Sequence, residues 1–459
     1  MRILLVNPPF SGIYYKLGFI FPPLGLAYLA AVLRTEGYDV EIVDLAVSPD
    51  GLNILAQKKF DLVGISGDTC RHPAAIAVAR EVKKKGIKTV LGGSHASYLD
   101  QDILENNPYF DFVIRREGEF TLQELVQKLR EEQELESIAG LSFRSRQGNF
   151  VRNPDRPLIS DLDKLPLPAR DLLPMEKYKS LELRRRKITP IVTSRGCPFQ
   201  CPFCCSSHYW GTKWRTHSVE RVLTEIELVT AEYGYRAVAF IDDTFTINMK
   251  RVDQLSQNII DKKIDIRWWC FSRPDMIISN EQIIARMAAS GARYVFMGVE
   301  SGEEMILQKL KKGVDRSKSI QAIDLLRQYG IETMASYMFG DLEETYESIL
   351  RTITFARALP TGSAQFSILT PFPGTVLWEQ LAPLLDHRNW QYYDCTHLVF
   401  KHPHLTAEQL QKLHILAYRR YYLTLSRILT GALSFIRGKG VKLSKILPVL
   451  RKMEQRNND

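Results

Sequence analysis

Seven cysteines occur in the 459 residues, and four of them, Cys197, Cys201, Cys204 and Cys205, fall within nine positions. A disulfide framework does not need such crowding. In a reducing compartment, tight cysteine spacing points to metal or redox chemistry. The segment reads Ser194-Arg195-Gly196-Cys197-Pro198-Phe199-Gln200-Cys201-Pro202-Phe203-Cys204, a C-x3-C-x2-C spacing directly after an apolar run. Thiolate is the soft ligand of iron–sulfur clusters, so three on one loop can hold three corners of a 4Fe–4S cube. Four protein ligands would close the cluster; three leave one iron open to a substrate or cosubstrate. Gly196 and the prolines suit a loop that wraps a cluster closely. Two alternatives stay open. Zinc would need a fourth ligand from Cys205, His208 or His217, although zinc sites favour paired C-x2-C units. Cys205 also permits a C-x3-C-x3-C reading.

Other residues able to do chemistry stand at the ends of segments that read as strands. Asp242, Arg273 and Glu300 each end or follow one, as Cys197 does. Taken singly, Asp242 and Asp243 also read as helix caps and Arg273 as a surface ion-pair partner. The pattern predicts strands over 191–193, 237–241, 267–271, 294–299, 333–339 and 364–368, with helices such as 219–233 and 318–329 between them. Six such units over 188–385 predict a partial (β/α)6 barrel, whose chemistry sits at the strand C-terminal ends. Residues 1–145 show the same alternation, with strands over 2–6, 40–43, 62–66, 89–91 and 112–114 and helices over 24–34, 74–85 and 119–130. The fold class is therefore α/β, opening with a doubly wound parallel sheet that takes ligands beyond its strands' carboxyl ends. Residues 146–187 read as an extended linker, because five prolines fall within 154–174. Residues 386–459 read as a basic helical region.

The cysteine loop resembles that of the radical S-adenosylmethionine superfamily. Cys197, Cys201 and Cys204 match the three ligand positions, and Phe203 matches the aromatic position before the third cysteine. The resemblance implies that the open iron chelates the amino and carboxylate groups of S-adenosylmethionine. Reduction of the cluster then cleaves that cofactor to a 5′-deoxyadenosyl radical. Phe240-Ile241-Asp242-Asp243-Thr244-Phe245 resembles the segment near the cofactor's amino group. Ser272-Arg273-Pro274-Asp275 resembles the segment whose arginine meets the carboxylate, and Gly298-Val299-Glu300-Ser301 the one whose glutamate supports ribose or amino hydrogen bonds.

The first part of the chain resembles the cobalamin-binding branch of that superfamily. The matching pieces are Asn7-Pro8-Pro9, Pro22-Pro23-Leu24-Gly25-Leu26, Gly64-Ile65-Ser66, Gly92-Gly93-Ser94-His95-Ala96 and Glu117-Gly118-Glu119. Leu369-Thr370-Pro371-Phe372-Pro373-Gly374-Thr375 extends the match to about residue 380. The branch includes methyltransferases acting on unactivated carbon and the anaerobic magnesium-protoporphyrin monomethyl ester cyclase. It implies cobalamin contacts from Pro8, Gly67, Asp68, Thr69, Gly92, Gly93 and Glu117. The Asp-x-His-x-x-Gly loop that many cobalamin proteins use for axial histidine ligation is not found. Its nearest text is Asp68-Thr69-Cys70-Arg71-His72, with the wrong Asp–His spacing. His72 reads as an exposed residue before Pro73, and His95 as a hydrogen-bonding loop residue. The double glycine alone would also fit a nucleotide-binding half-domain.

The formal charge is +9, and residues 401–459 alone hold 12 Lys/Arg against 3 Asp/Glu. The first 400 residues are thus net neutral, which excludes a uniformly basic, nucleic-acid-coating surface. The N-terminal apolar run is too short for a signal peptide, and Pro22-Pro23 break the nearby uncharged stretch 17–33, so a cytoplasmic location is expected. The resemblance implies a cobalamin-using radical methyltransferase with a small, even lipophilic, substrate and a reductant such as a flavodoxin or ferredoxin. A radical oxidase, cyclase or rearrangement enzyme with the same cofactors is the first rival. A non-catalytic carrier or RNA-associated protein is the second; against methylthiotransferase relatives, residues 1–150 hold only Cys70 and so lack a second cluster. In the basic tail, Leu423, Leu425, Ile428, Leu429, Leu433 and Ile436 form an apolar set among seven basic residues. It reads as a helical lid, or more sharply as a peripheral contact with anionic lipid.

Overall fold

The computed structural model describes residues 1–9, 20–178, 183 and 186–424. Two sheets dominate it. The first has seven strands in the order β2-β1-β3-β4-β5-β6-β7. These are β1 Arg2–Asn7, β2 Asp39–Asp44, β3 Leu62–Ser66, β4 Lys88–Gly92, β5 Phe112–Ile114, β6 Leu141–Arg144 and β7 Phe150–Arg152. The first five pair in parallel. Ile3, Leu4, Leu5 and Val6 are all fully buried, the continuous apolar run expected of a strand covered on both faces. The antiparallel hairpin β6–β7 extends this sheet past residue 145, into the stretch read as linker.

That stretch is not an extended spacer. Leu162 and Leu165 are core residues, and Arg170, only 1% exposed, plugs the base of the second sheet. Its guanidinium donates to Thr189 Oγ1 at 3.1 Å, to the Pro190 carbonyl at 2.7 Å and to Glu225 at 2.6 Å. On the other side the Ala169 N–H donates to the Ala27 carbonyl, and the Tyr178 hydroxyl donates to Asp44. The prolines suppress helix and strand while the residues between them bury, so proline density marked a structured strap rather than a loose linker.

The second sheet is fully parallel, in the order β15-β14-β13-β12-β11-β8. Its strands are β8 Ile188–Ile191, β11 Ala237–Phe240, β12 Arg267–Ser272, β13 Ala292–Glu300, β14 Glu332–Phe339 and β15 Ser363–Ile368. The first ends at Ile191, earlier than the 191–193 expected. The Thr193 N–H is instead taken by the Asp242 carboxylate. The chain then leaves the sheet for a short antiparallel ribbon, β9 Ser194–Arg195 with β10 Arg215–Thr216.

Residues 386–406 are not helical apart from one tight turn, Trp390–Tyr392. The helix Ala407–Tyr422 follows and covers the edge strand β15. His414 Nε2 lies 2.8 Å from the Phe366 carbonyl, the Tyr418 hydroxyl bonds both backbone groups of Phe366, and the Tyr422 hydroxyl bonds both of Ala364. Four helical residues rise about 6 Å and two strand residues about 6.6 Å, so side chains four apart can serve backbone groups two apart. A polar ladder thus stands where a seventh strand would pair. The apolar–basic tail set beyond Leu423 lies outside the described residues. Among the described residues, no helix is long and apolar enough to cross a membrane.

Candidate active site

The cysteine loop begins where β9 ends. Gly196 has φ +90°, and a Cβ there would stand 2.4 Å from the Lys213 carbonyl oxygen, so only glycine lets the loop fold onto the ribbon's return. The Cys197 N–H donates to the Gly211 carbonyl at 3.1 Å, and the Cys204 N–H to the Cys201 carbonyl at 3.1 Å. Cys197 and Cys201 are buried and Cys204 half-buried. Burial pushes all three thiols above their ordinary range; at Cys201, Lys312 and Arg273 oppose that rise. Three thiolates close together in such a site need a cation to hold them.

Among the described residues no three His, Cys, Asp or Glu side chains converge closely enough for a single ion. A zinc centre takes four ligands round one ion, whereas a four-iron cube offers three different irons to three thiolates. His217 is also committed elsewhere, with Nδ1 2.9 Å from Asp163. The donor set therefore fits a cluster better than zinc.

Around this loop the second sheet's strand ends supply charge. Arg273 lies 3.5 Å over the ring of Phe199 and forks onto Asp275 at 3.1 and 3.2 Å. Its guanidinium also donates to the Lys312 carbonyl. Glu300 has φ +66° at a register shift of β13 and pairs with Lys312 Nζ. A Cβ on Gly298 would stand 2.1 Å from that carboxylate and 2.2 Å from the ammonium, so Gly298 makes room for the pair. A left-handed, non-glycine residue in a buried strand end is a strain of the kind that functional sites retain. Lys312 was missed in the sequence, where it sits in an unremarkable Lys-Lys-Gly turn.

Asp242 is engaged by the residues just before the cysteine loop. Its carboxylate accepts from the Thr193 N–H, the Thr193 hydroxyl and the Ser194 hydroxyl, so it braces the root of the cysteine loop. Asp243 is the freer neighbour. Burial, reinforced by Asp242, lifts its pKa to about 6 although the Ser206 hydroxyl opposes this. Phe203 packs against the apolar cluster of Leu369, Leu381 and Tyr393 rather than standing alone over the loop.

The first sheet's strand ends face the same region. Pro8 is buried and Pro9 exposed. Asp68 is engaged by the Arg71 backbone and guanidinium, and by the Cys70 thiol. Thr69 Oγ1 lies 3.3 Å from His95 Nδ1. His72 is 3% exposed, not exposed as expected; its ring lies 4.3 Å from that of His95, which is 2% exposed. Burial lowers the two imidazole pKa values to about 4 and about 2.

The double glycine splits into two roles. Gly93 has φ +113°, and a Cβ there would meet the Gly67 carbonyl oxygen at 2.3 Å, so these two residues pack strand-end loops together. At Gly92 a Cβ would meet only the Ile114 carbonyl oxygen, at 3.9 Å, leaving bare backbone at the rim that suits a flat ligand. Glu117 is held by protein partners. Its carboxylate is bound by Arg195, Arg215 and the Ile159 N–H. Arg195 also pairs with Glu119 at 2.6 Å. The root of the cysteine loop is therefore ion-paired into the first sheet's rim. The spacing Glu117-Gly118-Glu119 with Arg195 just before the cysteines carried that signal, but only across 76 residues or more.

Comparison with known proteins agrees with this two-part site. Residues 11–126 match the B12 binding domain and residues 191–356 the Radical SAM superfamily. An uncharacterised methyltransferase of Pyrococcus horikoshii is 40% identical over 92% of this chain and 93% of its own length. The chain belongs to the cobalamin-binding radical S-adenosylmethionine family. Its cofactors are a 4Fe–4S cluster, S-adenosylmethionine and cobalamin. Within the family, the anaerobic magnesium-protoporphyrin IX monomethyl ester cyclase of Rubrivivax gelatinosus is 26% identical over 92% of this chain and 78% of its own. The radical S-adenosylmethionine methyltransferase TsrM of Kitasatospora setae, solved with cobalamin and a [4Fe-4S] cluster, shares the fold. Its TM-score is 0.69 at 23% identity, over 83% of this chain and 74% of that one.

Proposed function

We propose that the chain transfers a methyl group from S-adenosylmethionine to an unactivated carbon of a small or lipophilic metabolite. The observation that carries this reading is Arg195. It stands two residues ahead of Cys197 and is salt-bridged to Glu117 and Glu119, so the cluster loop and the cobalamin-side rim share one buried interface. When bound, the cluster and cobalamin supply reductive cleavage of S-adenosylmethionine and carriage of the methyl group. The protein's own work is positioning and exclusion of water.

Cys197, Cys201 and Cys204 hold three irons. Arg273, Lys312 and Glu300 form the charged wall beside Cys201, suited to the carboxylate, amino and hydroxyl groups of S-adenosylmethionine. Asp242 keeps the loop root in place through Thr193 and Ser194. Gly92, with no Cβ to block approach, and Gly67, Thr69 and Pro8 would hold the corrin ring. A flavodoxin or ferredoxin supplies the electron, and the basic tail provides peripheral contact with anionic lipid, a reading that rests on sequence.

Anaerobic purification with cobalamin supplied should give overlapping corrinoid and iron–sulfur absorbance. Incubation with methyl-labelled S-adenosylmethionine and a metabolite extract of a deletion strain should place label in one product. The cyclase relative favours a second reading, oxidation or ring closure. 5′-Deoxyadenosine formed with an unlabelled product would select it. No 5′-deoxyadenosine at all would overturn both. Liposome co-sedimentation of whole and tail-truncated protein tests the lipid contact; equal, salt-independent binding rejects it.

A further inference from the structure

One stretch of chain touches both cofactor-bearing loops. Residues 369–400 run from the end of β15 to the covering helix. On one side the Leu377 N–H donates to the Pro202 carbonyl at 2.9 Å, and Phe203 packs in the cluster built on Leu369, Leu381 and Tyr393. On the other side lies the helix Ser94–Tyr98, which starts directly after Gly92-Gly93. Trp390 meets the His95 ring edge-on at 4.8 Å. Gly374 sits against Tyr98: a Cβ there would stand 2.3 to 2.4 Å from three ring carbons, at φ +83°. His95 and Tyr98 are three apart and share a helix face, so one segment grips that face at both ends.

The ion-paired hub of Glu117, Glu119, Arg195 and Arg215 joins the two rims at another place. The strap ties Ala169 to Ala27 and Arg170 to the second sheet, and the Tyr209 hydroxyl donates to the Arg116 carbonyl. The contacts of residues 369–400 instead reach from the cysteine loop directly to the helix that follows Gly92-Gly93. We propose that residues 369–400 act as a strut that sets the distance and orientation between the cluster and cobalamin, with Gly374 and Trp390 as its positioning residues. The inference rests on the two-cofactor reading above. Its chemical weight is large, because misplacing reacting groups by about 1 Å can cost on the order of 100-fold in rate.

The test is the dipolar coupling between the reduced cluster and cob(II)alamin, measured by pulsed electron paramagnetic resonance on the holoprotein. Wild type should show one narrow distance. Gly374→Ala and Tyr98→Ala should each widen or shift it, with iron and corrinoid contents within two-fold of wild type. Gly374→Ala added to Tyr98→Ala should change the distance less than Gly374→Ala does alone, since the ring it would strike is gone and only the strain of the φ +83° backbone remains. Should Gly374→Ala fail to fold, Tyr98→Ala and Trp390→Leu carry the test, because neither introduces a clash. Wild-type distances in these variants, with both signals present, would overturn the strut alone. Absence of the cluster or the corrinoid signal from wild type would overturn the two-cofactor reading and the strut with it.

Discussion

The two strand-end rims that face each other are built from opposite materials. The barrel rim is charged and conformationally strained: Gly196 and Glu300 are left-handed, and Arg273, Lys312 and Glu300 crowd Cys201. The first sheet's rim is built at its glycines and imidazoles from close backbone packing, with Gly93 against Gly67 and two buried imidazoles tilted against each other, and its charges are ion-paired away. The difference follows from what each must hold. A cluster and a charged cofactor need named donor atoms at fixed points, whereas a broad macrocycle needs access to bare backbone. Donor atoms appear in a sequence as residue types; access does not.

Breaking the barrel rim should therefore have the largest and most local effect. Replacing Cys197, Cys201 or Cys204 by serine should abolish cluster assembly and 5′-deoxyadenosine formation while cobalamin binding persists. Cys205→Ser should retain the cluster. Iron content and low-temperature electron paramagnetic resonance of each variant decide this. A cluster that survives Cys204→Ser and is lost in Cys205→Ser would transfer the third ligand to Cys205. Because burial raises all three thiol pKa values and metal binding needs thiolates, cluster reconstitution should also improve as pH rises from 7 toward 9.

On the first rim the sharper comparison lies between adjacent glycines. Gly93→Ala places a Cβ 2.3 Å from the Gly67 carbonyl oxygen at φ +113° and should destabilise the protein by about 2–4 kcal/mol. Gly92→Ala meets nothing closer than 3.9 Å and should cost less than about 1 kcal/mol, yet weaken cobalamin retention. Chemical denaturation and corrinoid content separate the two. Equal retention in Gly92→Ala and wild type would remove Gly92 from the corrin surface.

Legibility followed the same division. The cysteine spacing, β12's arginine and β13's glutamate stood in the sequence as residue types at strand ends, and strands β3 and β5 fell where the apolar pattern put them. Asp242 and Glu117 were legible as carboxylates in local motifs, but their partners Thr193, Ser194, Arg195 and Arg215 are supplied by distant chain. The strap 154–178 was misread because proline suppresses regular structure without preventing burial, as Arg170 and Leu162 show. The ladder on β15 was legible in principle as His414, Tyr418 and Tyr422 four apart, but only once an unpaired edge strand was known to lie beneath it.

The rims should also answer pH in opposite directions. His72 and His95 titrate near 4 and 2 when folded, below the ordinary value near 6.5. Their contribution is complete above about 6.5 and is lost as pH falls toward 4, because the unfolded chain takes up protons first. Glu344, at the end of β14, is raised by burial to about 8, against which the Gly340 and Asp341 N–H groups act. Its contribution is complete at low pH and is lost as pH rises from about 4.5 to 8. Hydrogen exchange, corrected for intrinsic rates, should show the helix Ser94–Tyr98 loosening between pH 7.5 and 5.5 while the 340–345 loop tightens. Parallel behaviour of the two segments would contradict the contrast.

The smallest expected effect concerns the barrel's open edge. Tyr422→Phe removes one hydroxyl that serves both backbone groups of Ala364, at 3.0 and 2.8 Å, and leaves the ring in place. A net hydrogen bond is worth about 1 kcal/mol, and an unmet backbone group costs about 1–3 kcal/mol when buried. Tyr422 is the helix's last residue and only half-buried, so water can replace part of the loss and about 1 kcal/mol is expected. Tyr418→Phe, one turn deeper, should cost more: the Phe366 carbonyl keeps His414, but the Phe366 N–H loses its partner in a fully buried residue that water does not reach. The order of the two, read by denaturation, is the discriminating result. If the helix sealed the edge by apolar packing alone, both variants would match wild type. If the polar ladder stands in for a missing strand, the deficit grows inward from Tyr422 to Tyr418.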